Sequence, residues 1–119
     1  MCKAKPKIAV EYAENAVILT LTDERILEEG DITSLEQAIL PVVAQEDTKN
    51  IVLDFSNVKF LTSAALGLLI RISKRTNEAG GELKLCSIDP KILEIFKITR
   101  LDRIFGIYGN RQQALQSFG

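Results

Sequence analysis

Residues 51 to 67 read Ile-Val-Leu-Asp-Phe-Ser-Asn-Val-Lys-Phe-Leu-Thr-Ser-Ala-Ala-Leu-Gly, a stretch that gathers the Asp54 carboxylate, the Ser56, Thr62 and Ser63 hydroxyls and the Asn57 amide. The apolar run Ile51 to Phe55 has the length and composition of a central strand covered on both faces. Helical spacing starts at Ser63. Backbone N–H groups in a first helical turn lack partners and carry a partial positive charge. A serine at that place either caps the helix or holds a phosphate, and Thr62 offers the same two choices. Asp54, at the end of the strand, also has two readings. As a phosphoacceptor it would need an acidic pair after the first strand, and Tyr12-Ala13-Glu14-Asn15 supplies none. As a structural residue it accepts backbone hydrogen bonds in the loop that holds Ser56 and Asn57, and this is the reading adopted.

The chain contains no histidine. That removes the usual general base, the commonest zinc ligand and any phosphohistidine relay, and it excludes Ser-His-Asp catalysis. The sequence holds no Gly-rich phosphate loop, metal-ligand cluster or Cys-x-x-Cys pair. No nucleophile has a recognisable base, so the expectation is a non-enzymatic protein with no catalytic residue, no metal site and no cofactor. Fifteen basic against sixteen acidic side chains leave a net charge of -1. No global field then gathers polyphosphate or an anionic membrane, which argues against nucleic acid and membrane as partners. No stretch approaches the ~18 consecutive apolar residues of a membrane span, and Met1-Cys2-Lys3-Ala4-Lys5-Pro6 lacks the apolar block of a secretory signal. With Cys2 and Cys86 as its two cysteines, the chain is read as a reduced, cytoplasmic protein without a disulfide.

The elements that position the 51–67 stretch follow from periodicity. A chain of 119 residues with 46% apolar content fills one core, and two domains would starve both. It reads as a flexible lead-in over residues 1 to 7, then one domain over 8 to 119. Ile8 to Tyr12 and Ala16 to Thr22 are strands joined by a turn at Glu14-Asn15. Ser34 and Gln37 form a capping-box pattern that opens a first helix carrying Leu35, Ala38, Ile39, Val42 and Val43. Pro41 predicts a kink or an early break in it. The second helix runs from Ser63 to Glu78 and closes at Gly80-Gly81. Glu82 to Ser87 is a strand; Asp89 and Pro90 open a third helix with Ile92, Ile95 and Phe96 on one face. Ile104 to Tyr108 is the last strand, and Asn110 caps a final helix with Ala114 and Leu115. A hairpin followed by helix–strand units predicts the α/β class, a mixed, mostly parallel sheet with helices packed on it.

On a helical wheel the second helix sorts its residues sharply. Ala65, Leu66, Leu68, Leu69, Ile70 and Ile72 cover a wide arc, while Gly67, Arg71, Lys74, Arg75 and Glu78 share the remaining stripe. Ser63 borders that stripe one turn before Gly67. A partner could therefore approach the backbone beside the hydroxyl, over a surface extended by basic side chains. The plainer reading is that Gly67 permits tight packing and that the charges are a solvated face.

The 51–67 segment resembles the signature of STAS domains, in which a strand ending Leu-Asp-Leu/Phe-Ser leads through a loop to Asp-Ser-Ser-Gly-Leu-Gly at the start of the second helix. Gly80-Gly81-Glu-Leu-Lys-Leu and the stretch from Leu101-Asp102-Arg103-Ile104-Phe105 to Gln113-Ala114-Leu115 resemble the family's later strand and ending. The resemblance covers most of the chain and implies the STAS fold. In the bacterial anti-sigma factor antagonist branch, the first serine of the motif is phosphorylated by a partner kinase that is also the anti-sigma factor, and Ser63 occupies that position. Three positions depart from the pattern: Thr62 stands for the aspartate, Ala64 for the second serine and Ala65 for the glycine.

What the resemblance implies is a signalling domain in transcription regulation, monomeric or weakly dimeric. It would bind a protein partner, anti-sigma factor and serine kinase-like, through Thr62, Ser63, Ala64, Gly67, Arg71 and Lys74. Ser63 is the expected phosphoacceptor, with Thr62 the alternative. Two other readings stay open: a constitutive STAS scaffold module without phosphorylation, and a small-ligand, nucleotide-binding domain using the strand ends near Asp54 and Asn57.

Overall fold

The computed structural model describes residues 8–13, 16–44 and 50–118. Strands β1 (Ile8–Tyr12) and β2 (Val17–Leu21) pair antiparallel, and β4 (Ile51–Asp54), β6 (Leu83–Cys86) and β7 (Gly106–Tyr108) continue parallel to β2 in the order β1-β2-β4-β6-β7. Helices α1 (Glu29–Val43), α2 (Ser63–Glu78) and α3 (Pro90–Ile98) make the crossovers, and α4 (Arg111–Gln116) ends the fold. The mixed, mostly parallel α/β sheet is thus the expected one. The lead-in over residues 1 to 7 and the turn at Glu14-Asn15 lie outside the described residues.

Alternation along the strands splits the interior in two. Val17, Leu19, Leu21, Ile51, Leu53, Phe55, Leu83 and Leu85 join α1, α2 and α3 in the main core on one face. Ile18, Val52 and Cys86 point the other way, onto Ala114 of α4, with Tyr108, Leu115 and Phe118 packed against them. The three crossover helices therefore share one face, and the sheet is wound in one direction only. A sheet of this kind has no strand-order reversal, and so lacks the crevice in which open α/β sheets bind nucleotides.

The expected elements return with local corrections. Helix α1 begins at Glu29, five residues before the Ser34 signal, with Glu28 as N-cap and the Asp31 carboxylate accepting the Glu28 N–H at 3.2 Å. Glu29 and Asp31 in the first turn suit the positive end of the helix dipole, and buried Ile32 extends the apolar period backwards. Ser34 and Gln37 lie inside the helix. Pro41 does not stop it: α1 runs on to Val43, and the Ala44 N–H bonds the Leu40 carbonyl at 2.9 Å. Proline is tolerated because it is exposed and only the last turn follows.

The last strand is shorter than the Ile104–Tyr108 expectation. Leu101–Arg103 forms a single 3₁₀ turn, entered through Arg100 at φ 63, and Ile104 is exposed. Phe105 is buried instead, edge-on to Phe96 with ring centroids 6.2 Å apart. Helix α2 has the expected bounds, and Gly80 takes the left-handed conformation at φ 87 that lets the chain leave it. The Asp89 side chain accepts the Lys91 N–H at 2.9 Å and Asn110 accepts that of Gln113 at 2.9 Å, so both expected caps form. Sequence periodicity missed β3 (Arg25–Ile26) and β5 (Phe60–Leu61), which pair parallel as a separate two-stranded ribbon.

Candidate functional site at the start of helix α2

The chain from β4 to α2 is held at almost every residue. Asp54 Oδ1 accepts the Ser56 N–H at 2.8 Å, and the Val58 N–H turns back to the Phe55 carbonyl at 3.0 Å. Asn57 donates through Nδ2 to the Leu21 carbonyl at 3.1 Å, tying the turn to the end of β2. Val58 is completely buried and pins the middle of the loop. The Lys59 and Phe60 N–H groups then share the Glu24 carbonyl at 2.8 and 3.1 Å, and the Thr62 N–H reaches the Ile26 carbonyl at 3.3 Å. Asp54 and Asn57 thus each make a hydrogen bond that holds the loop. Ser56 is exposed, and its backbone makes the bond to Asp54.

This loop delivers Thr62 as the N-cap of α2 in extended conformation, φ −92 and ψ 164. Its hydroxyl does not cap: Oγ1 is buried and has no hydrogen-bond partner. Ser63 is the first helical residue and is exposed, as is Ala64, while Ala65 and Leu66 are buried and anchor the turn. The hydroxyl at 63 therefore emerges at the open amino end of the helix. Whereas α1 carries Glu29 and Asp31 in its first turn, α2 carries no acidic residue there.

Along α2 the basic stripe forms as expected. Arg71, Lys74, Arg75 and Glu78 line a groove of about 400 Å³ against Glu36 and Leu40 of α1. Within its lining, Arg71 Nε and Nη2 bind Glu36 at 3.1 and 3.4 Å. Gly67 is half-buried, but a Cβ there would meet only Arg71 Nη1, at the ordinary contact distance of 3.8 Å. Tight packing within the chain is thus not the reason for a glycine at this place.

Sequence reasoning missed three features of the site. Phe60 on the ribbon that leads to Ser63, and Leu27 just beyond its first strand, leave large apolar surfaces exposed, and the Arg25 guanidinium lies 4.8 Å above the Phe60 ring. Two-residue strands have no periodicity to reveal them. The third is Arg111, which binds Asp54 Oδ2 through Nη2 at 2.9 Å and Nε at 3.2 Å. A buried carboxylate demands a cation, but nothing in the sequence says which of fifteen supplies it. Hydrogen bonding to Asp54 raises the Arg111 pKa further against the opposing effect of burial. With Oδ1 on Ser56 and Oδ2 on Arg111, both oxygens of Asp54 are engaged. That counts against a nucleotide site built on Asp54.

A singly wound α/β sheet with a serine presented at the start of its second helix is the class of domain the geometry defines. The family model described as STAS domain matches residues 7–114. The chain belongs to the STAS domain family. It is 26% identical over 109 residues to the anti-sigma F factor antagonist of Paenibacillus polymyxa, covering 92% of each chain. A solved anti-sigma-factor antagonist (STAS) domain protein from Planctomyces limnophilus superposes with a TM-score of 0.85 over 98% of this chain and 100% of that one, at 24% identity. An anti-sigma factor antagonist from Mycobacterium paratuberculosis does so with a TM-score of 0.80 at 25% identity, covering 92% and 91%. Among the described residues, no helix is long and apolar enough to cross a membrane.

Proposed function

We propose that this domain is a non-enzymatic cytoplasmic switch that binds an anti-sigma factor of the serine-kinase type through the start of α2 and is released by phosphorylation of Ser63. The observation that carries the reading is the exposed Ser63 hydroxyl at the first position of a helix with no acidic residue in its first turn. In the transfer, Ser63 Oγ attacks the γ-phosphorus of ATP bound to the partner. An O–P bond forms, ADP leaves, and the hydroxyl proton passes to a base on the kinase, since this chain has no histidine to supply one. The phosphate adds ~1.5 to 2 negative charges to a surface that a partner must desolvate. The helix end stabilises that charge internally by up to ~2 kcal/mol, so the fold survives while the interface fails. A hundredfold loss of affinity requires only ~2.7 kcal/mol.

Thr62, Ala64, Gly67, Arg71 and Lys74 complete the contact surface in this reading. Gly67 supports it most directly, because the only atom a Cβ there would meet within 4 Å is the end of the Arg71 side chain, at ordinary contact distance. Ser63 is a better acceptor than Thr62, whose Oγ1 is buried. Incubation with the cognate kinase and ATP, followed by intact-mass measurement, tests the switch. One phosphate adduct is expected on the parent and on Thr62→Val, and none on Ser63→Ala. Thr62 in place of the family's aspartate favours a second reading, a constitutive scaffold module. A parent protein that binds the kinase tightly but takes no phosphate would select that reading and reject the switch.

A further inference from the structure

The Asp54 side chain is only 4% exposed, and the charge that balances it comes from α4, on the back face of the sheet to which Val52 and Cys86 also point. Arg111, at the start of α4, places its guanidinium on Asp54 Oδ2, donates to Thr20 Oγ1 at 3.1 Å through Nη2, and ion-pairs with Glu11 of β1 through Nη1. The other oxygen of Asp54 takes the Ser56 N–H at 2.8 Å, the first bond of the turn that leads to Ser63. One carboxylate therefore joins the C-terminal helix and the edge strand to the loop that presents the acceptor.

We propose that Arg111 is a positioning residue for the Ser63 loop, acting through Asp54 from behind the sheet. A carboxylate is acceptor-only, so its two oxygens cannot be oriented by the Ser56 N–H alone. Nε and Nη2 of Arg111 both close on Oδ2, and the guanidinium is itself tied to Thr20 and Glu11, so Oδ2 is held in place and Oδ1 is left directed at the Ser56 N–H. Without it, a buried negative charge must draw in water or swing outward, and either response moves the acceptor on which the turn is built. The turn then loses its register with Asn57 on Leu21 and with Lys59 and Phe60 on Glu24, the bonds that set where β5 ends and α2 begins. Lysine substitutes only in part, because it keeps the charge but loses the fixed set of donors that places the carboxylate.

The biological meaning of this device rests on the proposed role of Ser63, but the mechanical claim needs no partner and is tested without one. Amide hydrogen exchange is followed by NMR on the full chain for the parent, Arg111→Ala, Arg111→Lys, Glu11→Gln and Val52→Ala. Val52 is fully buried on the same back face and serves as a control that loses stability without touching the ion pairs. After correction for global stability, Arg111→Ala is expected to speed exchange at Ser56, Val58, Phe60 and Thr62 by about tenfold, with Val52→Ala within about twofold of the parent. Arg111→Lys should recover part of the protection. Loop amides that rise no more in Arg111→Ala than in Val52→Ala would overturn the proposal. If Arg111→Ala does not fold, Glu11→Gln decides: a selective rise of about threefold in the same amides supports the proposal, and a uniform rise overturns it. Failure of the parent to take a phosphate would reject the Ser63 reading and leave the exchange result standing.

Discussion

A glycine inside a helix costs about 1 kcal/mol relative to alanine, and at position 67 the chain carries that cost with no packing reason of its own. Gly67→Ala should therefore raise stability in urea denaturation by up to ~1 kcal/mol, while weakening the complex if a partner's backbone or side chain lies against that turn. A variant that gains stability and binds as well as the parent would remove Gly67 from the contact surface. The neighbouring threonine makes the opposite case. Its Oγ1 is buried with no partner, a group that was desolvated on folding and received no hydrogen bond in return. Thr62→Val keeps the shape and replaces the hydroxyl by a methyl, so it should leave stability unchanged or raise it by ~1 kcal/mol. A loss of that size would mean that the hydroxyl is bonded in solution. Neither residue declares its surroundings in the sequence: a helix-opening Thr-Ser reads as a cap, and only the placement of Oγ1 shows that it does not cap.

Helix α2 was legible because independent signals agree, a first-turn hydroxyl, a long amphipathic wheel and Gly80 beyond the end, and tertiary structure opposes none of them. Helix α1 was legible as a helix but misplaced at its start. Ser-x-x-Gln is a frequent pattern, whereas the Glu28–Asp31 arrangement that begins the helix uses residues that also occur on any exposed face. The β3–β5 ribbon was not legible, since its pairing depends on Glu24 and Ile26 carbonyls meeting amides 59, 60 and 62 across the fold. Pro41 supplies the test at this scale. It lies inside α1 and faces solvent, where its ring removes a bond from the last turn. Pro41→Ala should restore that bond and raise stability by ~1 kcal/mol or more in thermal or urea unfolding. A decrease would mean that the proline shapes the exit from α1. Conversely, Asp89→Ala removes the cap of α3 and should cost ~1 kcal/mol.

For the whole molecule, the mixed, mostly parallel sheet with packed helices followed from a hairpin succeeded by helix–strand units, but the strand order, the single winding and the second, smaller core behind the sheet did not. The residues that seal it, Ala114, Leu115 and Phe118, come from the last turns of the chain and have too little periodicity to announce a face. Cys86 reports on that seal. It is fully buried, and desolvation pushes its thiol from 9.0 up to about 11, aided by the negative charge of Asp54 and opposed by the Ser87 hydrogen bond and Arg111. The unfolded thiol ionises at its ordinary value, so between these two pKa values the folded state holds a proton that the unfolded state has released. The contribution of Cys86 to stability is therefore complete below the unfolded value and is lost as pH rises through the folded one. Lys84 and Tyr108 also titrate in alkali, the first raised by Tyr108 and Glu82 against burial, the second lowered chiefly by Ser117. Both remain in Cys86→Ala, so they cancel when the variant is compared with the parent. The stability difference between the two should stay constant up to about pH 8 and then narrow as pH rises towards about 11. A difference that stays constant throughout would show that water reaches the thiol in the folded state, and hence that α4 does not close the back of the sheet.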